Sequence, residues 1–262
     1  MTEPAPPNAG TDASTSICAN GAAVNLFGIL GGTPTAGGTW SGGLVGGMYD
    51  PAANAPGSFV YTVNGTAPCA NATATITVTE PAPPNAGTDA SVAICANGAP
   101  VNLFGILGGT PAAGGTWSGG IVGGMYNPAV NAPGSFIYTV NGTAPCANAT
   151  ATITVTEPAP PNAGTDASVA ICAKRCANGA PVNLFGILGG TPTAGGTWSG
   201  GIAGGMYDPA VNAPGSFVYT VNGTAPCANA TATITVTEPA PPNAGTDASV
   251  AICANGATPC EQ

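Results

Sequence analysis

The 262-residue chain carries 11 acidic residues against two cations, Lys174 and Arg175, has no histidine, and has a net charge of -9. That balance excludes binding to nucleic acid or to an anionic bilayer, both of which call for a basic surface, and it leaves no imidazole for acid–base catalysis. Gly (41) and Pro (27) are about twice as frequent as usual, yet Val, Ile, Leu, Phe, Tyr and Trp recur in alternating runs able to bury a face, the mark of a turn-rich β protein and not of a disordered tract.

The segment EPAPPNAGTDAS begins at Glu3, Glu80, Glu157 and Glu238, at intervals of 77, 77 and 81 residues with near-identical text between. A period of that length belongs to a tandem array of folded units. The expected domains are residues 1–79, 80–156 and 157–237, the third holding a four-residue insertion, with 238–262 as a partial repeat or strand-donor tail. Met1-Thr2-Glu3 reads like Val78-Thr79-Glu80, as if cut from a longer array at a repeat boundary. No stretch resembles a secretory signal, and no run of 18 apolar residues is present to span a bilayer.

Within the first copy, Ser14 to Cys18 is the predicted opening strand, and Val24-Asn25-Leu26 continues the apolar material into Phe27, Ile29 and Leu30. Gly31-Gly32-Thr33-Pro34 turns the chain, and Gly38-Thr39-Trp40-Ser41 reads as a short central strand whose indole fills the space between sheets. Phe59, Tyr61 and Val63 alternate along a later strand, followed by the hairpin signal Asn64-Gly65. The last strand sets Ala72, Ala74, Ile76 and Val78 on one face and Thr73, Thr75, Thr77 and Thr79 on the other. About seven short strands with one Trp fit a small immunoglobulin-like sandwich. The predicted fold is therefore all-β: three small Ig-like sandwiches joined by Pro-rich linkers such as Glu80–Gly87, whose prolines favour an extended, semi-rigid course.

Nine cysteines in so uncharged a chain point to an oxidising compartment. Cys18 and Cys69, Cys95 and Cys146, and Cys176 and Cys227 are each 51 residues apart, which predicts one disulfide per repeat, with Cys253 and Cys260 together in the tail. Such a bond would tie the opening strand to the final hairpin. A zinc site lacks both histidines and paired C-x-x-C knuckles. The insertion Cys172-Ala173-Lys174-Arg175-Cys176 creates a surplus thiol: Cys172 keeps the upstream SVAIC text, and Cys176 keeps the 51-residue spacing.

PNAGTDAS, GGTWSG, PGSFVYTV and the closing TATITVT resemble the Ig-like and PKD-like tandem repeats of large secreted surface proteins of Bacteroidota, over nearly the whole chain. The resemblance implies extended stalks of adhesins or surface filaments, exported to the cell surface. It carries no catalytic residues.

Candidate sites are few. Each repeat offers Asp12 and Asp50 or their equivalents plus a linker Glu, and the second has Asn127 where the others have Asp50 and Asp208, so no carboxylate pair is maintained for catalysis. The protein is expected not to be an enzyme and to need no cofactor. Calcium at Asp12, Asp89, Asp166 and Asp247 is chemically feasible, but one carboxylate per site binds weakly, and an Asx turn or strand cap explains these residues. Sequons at Asn64, Asn71, Asn141, Asn148, Asn222 and Asn229 are accounted for by hairpins and composition. The outward Thr ladder admits O-glycan or ice-binding readings, although β propensity suffices.

The functional expectation is an extracellular structural repeat protein, a filament subunit or adhesin stalk. It would self-associate head to tail by addition of the tail strand bearing Val250 and Ile252, or continue into neighbouring repeats of a longer chain. The alternative is a carbohydrate-binding or cell-adhesion module meeting a glycan or host surface through Gly-rich loops around Trp40, Trp117 and Trp198.

Overall fold

The computed structural model describes residues 3–171 and 180–239, together with Gly245, Asp247 and Ser249. Six strands recur in each copy. In the first they are β1 (Ala13–Ser16), β2 (Val24–Asn25), β3 (Thr39–Trp40), β4 (Met48–Tyr49), β5 (Gly57–Val63) and β6 (Ala72–Thr79). No α-helix occurs among the described residues. After β2, Leu26–Ile29 winds into a 3-10 turn, because Asn25 Oδ1 accepts the Phe27 N–H at 3.0 Å and bends the chain out of the extended state.

The strands form a four-stranded sheet in the order β1-β6-β5-β3 and a two-stranded sheet β2-β4. Placing the last hairpin beside β3, with β2 and β4 on the opposing layer, reproduces the C-F-G and B-E pairings of an immunoglobulin-type sandwich. The β6 alternation is realised as read: Ala74, Ile76 and Val78 are buried, while Thr73, Thr77 and Thr79 are exposed. These side chains meet Leu26, Tyr49 and Tyr61 in one core, and equivalent cores form around Tyr126 and Ile153 and around Tyr207 and Ile234. The chain forms two compact units, Met1–Glu157, which holds the first two sandwiches, and Pro158–Gln262.

One feature of the register governs everything downstream. β5 and β6 are antiparallel neighbours, but β1 runs parallel to β6, with Ala13 opposite Ile76 and Ser16 opposite Thr79. The chain therefore enters and leaves each sandwich at opposite poles. At the exit pole, Ile17 N–H donates to Thr79 O at 2.9 Å and Ala19 N–H to Pro81 O at 3.1 Å. At the entry pole lies the loop between β5 and β6. Asn64-Gly65 does not close it as a two-residue turn: the loop runs from Asn64 to Asn71, and the Gly65 N–H donates to Asn71 Oδ1 at 3.0 Å.

Tyr61 sets the loop before β3. Its hydroxyl donates to Thr35 O at 2.7 Å and accepts the Gly38 N–H at 2.8 Å. A Cβ at Gly38 would collide with the Thr62 carbonyl and the Tyr61 ring, whereas one at Gly28 would meet nothing within 4 Å. Gly38→Ala should thus destabilise the first sandwich by about 1–3 kcal/mol through overpacking, and Gly28→Ala should change it by less than about 0.5 kcal/mol in the unfavourable direction. Urea midpoints read from Trp40 emission in a Trp117→Phe/Trp198→Phe background test the pair.

Candidate functional site

The exit pole of the first sandwich meets the entry pole of the second, and there Cys18 is bonded to Cys146, with a Cα–Cα distance of 5.0 Å and 128 residues between them in sequence. This replaces the expected pairing of Cys18 with Cys69. The reason is geometric: Cys18 follows β1 and lies beyond the end of β6, while Cys69 sits in the loop before β6 begins. The eight residues of β6, at about 3.3 Å each, hold those poles about 25 Å apart. A disulfide tolerates no more than about 7 Å between Cα atoms. Cys95 with Cys146 within the second repeat is ruled out in the same way.

Cys69 is a free, half-buried thiol, and Cys95 and Cys227 are themselves disulfide-bonded. Cys172, Cys176, Cys253, Cys260, Val250 and Ile252, and the cations Lys174 and Arg175, lie outside the described residues.

Around the Cys18–Cys146 bond the linker is held, not free. The Pro81 carbonyl accepts the Ala19 N–H and lies 3.3 Å from Cys146 Sγ. Glu80 Oε1 accepts the Tyr49 hydroxyl at 2.6 Å, so the first linker residue is fastened to the sandwich it leaves. Asn85 fastens the other end: its Nδ2 donates to Thr110 O at 3.0 Å, its Oδ1 accepts the Gly87 N–H at 2.9 Å, and its carbonyl accepts the Ala112 N–H at 2.8 Å. The Tyr–Glu clamp recurs as Tyr126 with Glu157 and Tyr207 with Glu238. Burial, then the hydrogen bond to the carboxylate and its negative charge, raise all three phenols, that of Tyr207 to about 12. Sequence reasoning missed this clamp; its only signal was a Tyr recurring 31 residues before each linker Glu.

The Trp positions lie at the other candidate site. Trp40 is half-buried and does not fill the space between the sheets, where Tyr49 and Tyr61 sit. Its indole packs on Tyr61 with ring centroids 5.0 Å apart, and Phe27 meets the same ring edge-on at 5.4 Å. Together they line an open groove of about 570 Å³ in the first repeat, with a counterpart of about 580 Å³ at Trp117 and a smaller one of about 280 Å³ at Trp198. Gly47, at φ 75°, lets the backbone pass the indole, since a Cβ there would lie 2.8 Å from Trp40 Nε1.

The aspartates are occupied by backbone. Asp12, Asp89 and Asp166 accept the N–H of Thr75, Thr152 and Thr233 at 2.7, 2.7 and 2.8 Å. Asp50 accepts the Ala52 N–H at 3.0 Å, and Asn127 does the same for Ala129, so the Asp-to-Asn exchange between copies keeps the one acceptor the turn uses. Among the described residues no group of three His, Cys, Asp or Glu side chains is placed to hold a metal ion. No helix among them is long and apolar enough to cross a membrane.

No family model matches the chain, and no curated protein does. Among solved structures it is similar to an I-band fragment of titin, I67–I69, at 14% identity and TM-score 0.44, covering 92% of this chain and 100% of that one. It is also similar to immunoglobulin domains 1–4 of Sidekick-1, at 12% identity and TM-score 0.26, covering 89% and 76%.

Two outcomes follow from these contacts. Replacing Asp12, Asp89 and Asp166 by Ala should cost about 1–2 kcal/mol per sandwich by leaving a strand N–H without its acceptor, seen as a lower urea midpoint. With no histidine to titrate, stability should be level from neutrality up to pH 10. The clamped phenols stay protonated in the folded state after the unfolded chain begins to ionise near 10, so their contribution is complete below pH 10 and is lost toward pH 12. Thermal midpoints across this range test it; a decline beginning below pH 9 would contradict it.

Proposed function

We propose that the protein is a structural element of the cell surface, a stalk or filament segment whose repeats, taken as 1–79, 80–156 and 157–237, are joined covalently to one another. The observation that carries this reading is the Cys18–Cys146 bond between consecutive sandwiches. A disulfide inside a domain stabilises that domain; this one, between domains, carries tension across the joint along a path that skips residues 19–145. Closing a loop of 128 residues is also worth about 5 kcal/mol in the chain-entropy model. Disulfides fit an oxidising, extracellular setting, and with this net charge the partner is another protein surface, including further repeats of the same kind. Residues 238–262 serve in this reading as a partial repeat that continues the array or adds a strand to a neighbour.

Single-molecule pulling tests it. The bond hides the chain from Cys18 to Cys146, whose 128 residues would extend by about 450 Å. Under non-reducing conditions that length should be missing from the contour released on unfolding, and it should appear after addition of a reductant. Equal contour lengths in the two conditions would remove the reading.

A second reading, carbohydrate binding or cell adhesion, is favoured by one observation, the half-buried Trp40 lining an open groove. Titrating oligosaccharides against tryptophan emission decides it: the stalk reading predicts no change, and saturable quenching lost in Trp40→Ala/Trp117→Ala/Trp198→Ala would favour the alternative.

A further inference from the structure

The groove beside each tryptophan holds binding groups that the fold does not use. In the first repeat Asn25, Phe27, Trp40 and Tyr61 line it together with Gly37 and Gly38, and no charged side chain takes part. Two of its polar oxygens are already in use: Asn25 Oδ1 accepts the Phe27 N–H, and the Tyr61 hydroxyl is held between Thr35 O and the Gly38 N–H. The Trp40 Nε1–H and the Asn25 Nδ2, by contrast, donate to no group among the described residues. Val45, set between the lining residues Leu44 and Gly46, is 85% exposed, and Val122 repeats it at 86% beside the second groove. Aromatic walls, spare N–H donors and an apolar side chain held out in solvent call for a ligand that is apolar and rich in acceptors but poor in donors.

The chain itself carries such a ligand. Pro83 and Pro84 have carbonyls and no N–H, and the run Pro81–Ala86 is uncharged. Ala82 and Pro83 are exposed, although Tyr49 holds Glu80 before them and Asn85 is bonded to Thr110 and Gly87 after them. Their prolines favour a polyproline II course, which leaves its backbone to a partner and has little entropy to lose on binding.

We propose that the Trp40 and Trp117 grooves dock the exposed proline-rich linker of a second copy of this chain, the rings packing on proline faces and the free Trp and Asn N–H groups donating to its carbonyls. The occupant is argued from complementarity of donors and acceptors and from number. Groove and linker both recur along the chain, so two copies can make more than one such contact, and the second forms at raised effective concentration. A saccharide, whose hydroxyls donate as well as accept, would find the Asn25 and Tyr61 oxygens already in use. Because groove meets linker, the contact is heterologous and extends from copy to copy. The Trp198 groove, at about 280 Å³, falls below the usual range of ligand clefts, about 300–1,000 Å³, and has Ala203 in place of the valine, so it takes no part.

This inference rests on the stalk reading, in which the partner is a further copy, but the two fail separately: that reading falls on contour length, this one on linker binding. The test uses thiol-alkylated full-length protein, so that no new disulfide joins copies, and the capped peptide EPAPPNAG, the sequence of Glu80–Gly87. Sedimentation velocity should show association that rises with protein concentration and is reversed by the peptide. Calorimetry should show saturable peptide binding that weakens when the three prolines of the peptide become alanine. Trp40→Phe/Trp117→Phe keeps the aromatic walls but removes the N–H, and should weaken peptide binding by about 2- to 10-fold, the scale of one neutral hydrogen bond. Val45→Ala/Val122→Ala, at side chains that stand in solvent and so leave folding alone, should weaken it as well. A protein that stays single at every concentration, a peptide that binds both variants as well as the wild type, or an all-alanine peptide that binds equally would overturn the proposal. Saturable binding of a neutral oligosaccharide without binding of the peptide would overturn it too, in favour of the adhesion reading.

Discussion

Parallel pairing of the first strand with the last decides what the cysteines can do. Because β1 runs alongside β6 in the same direction, the residues after β1 are carried to the pole where the chain leaves, and the loop before β6 is left at the pole where it arrives. Cysteines at those two places cannot meet within a sandwich, but Cys18 and Cys146 meet across the joint between the first two. A short strand pairing inside one domain thus turns an apparently internal pair of thiols into a connector between domains.

The remainder of the joint is built from groups that carry little charge. A backbone carbonyl at Pro81, the amide of Asn85 and the phenol of Tyr49 hold the linker, and a carboxylate appears only as the acceptor of that phenol. Among the described residues no buried side-chain nitrogen or oxygen lacks a partner. Neutral hydrogen bonds and a covalent bond respond weakly to ionic strength. The same economy explains why Asp50 is exchangeable for Asn127: each turn needs one oxygen acceptor and no charge.

Much of the sandwich was legible in the residues. The period of two in Ala72–Thr79 is a local property, and so it survived into the structure unchanged. Asp12 reads as an Asx turn or strand cap, but the N–H it accepts is that of Thr75, 63 residues on in the neighbouring strand, a partner that only the strand order supplies. The disulfide was not legible, since a regular repeat makes the interval within a copy and the interval to the next copy equally regular; only the strand order separates them. Trp40 was misplaced for a related reason: a single indole was expected to fill the core, but two tyrosines whose hydroxyls find partners already occupy it, leaving the indole at the groove. Asn64-Gly65 looked like a two-residue turn, but the loop must be long enough to carry Cys69 to the pole.

The central claim is that the covalent bond joins repeats and does not close within them, and one digestion tests it directly. Asp12, Asp50, Asp89 and Asp166 punctuate the first two repeats, so a protease that cuts before aspartate, acting on thiol-blocked, denatured, unreduced protein, places Cys18, Cys69 and Cys146 on the separate fragments 12–49, 50–88 and 89–165. The account predicts that fragments 12–49 and 89–165 stay together until a reductant is added, because Cys18 is bonded to Cys146. Fragment 12–49 joined instead to 50–88, with Cys18 bonded to Cys69, would contradict it.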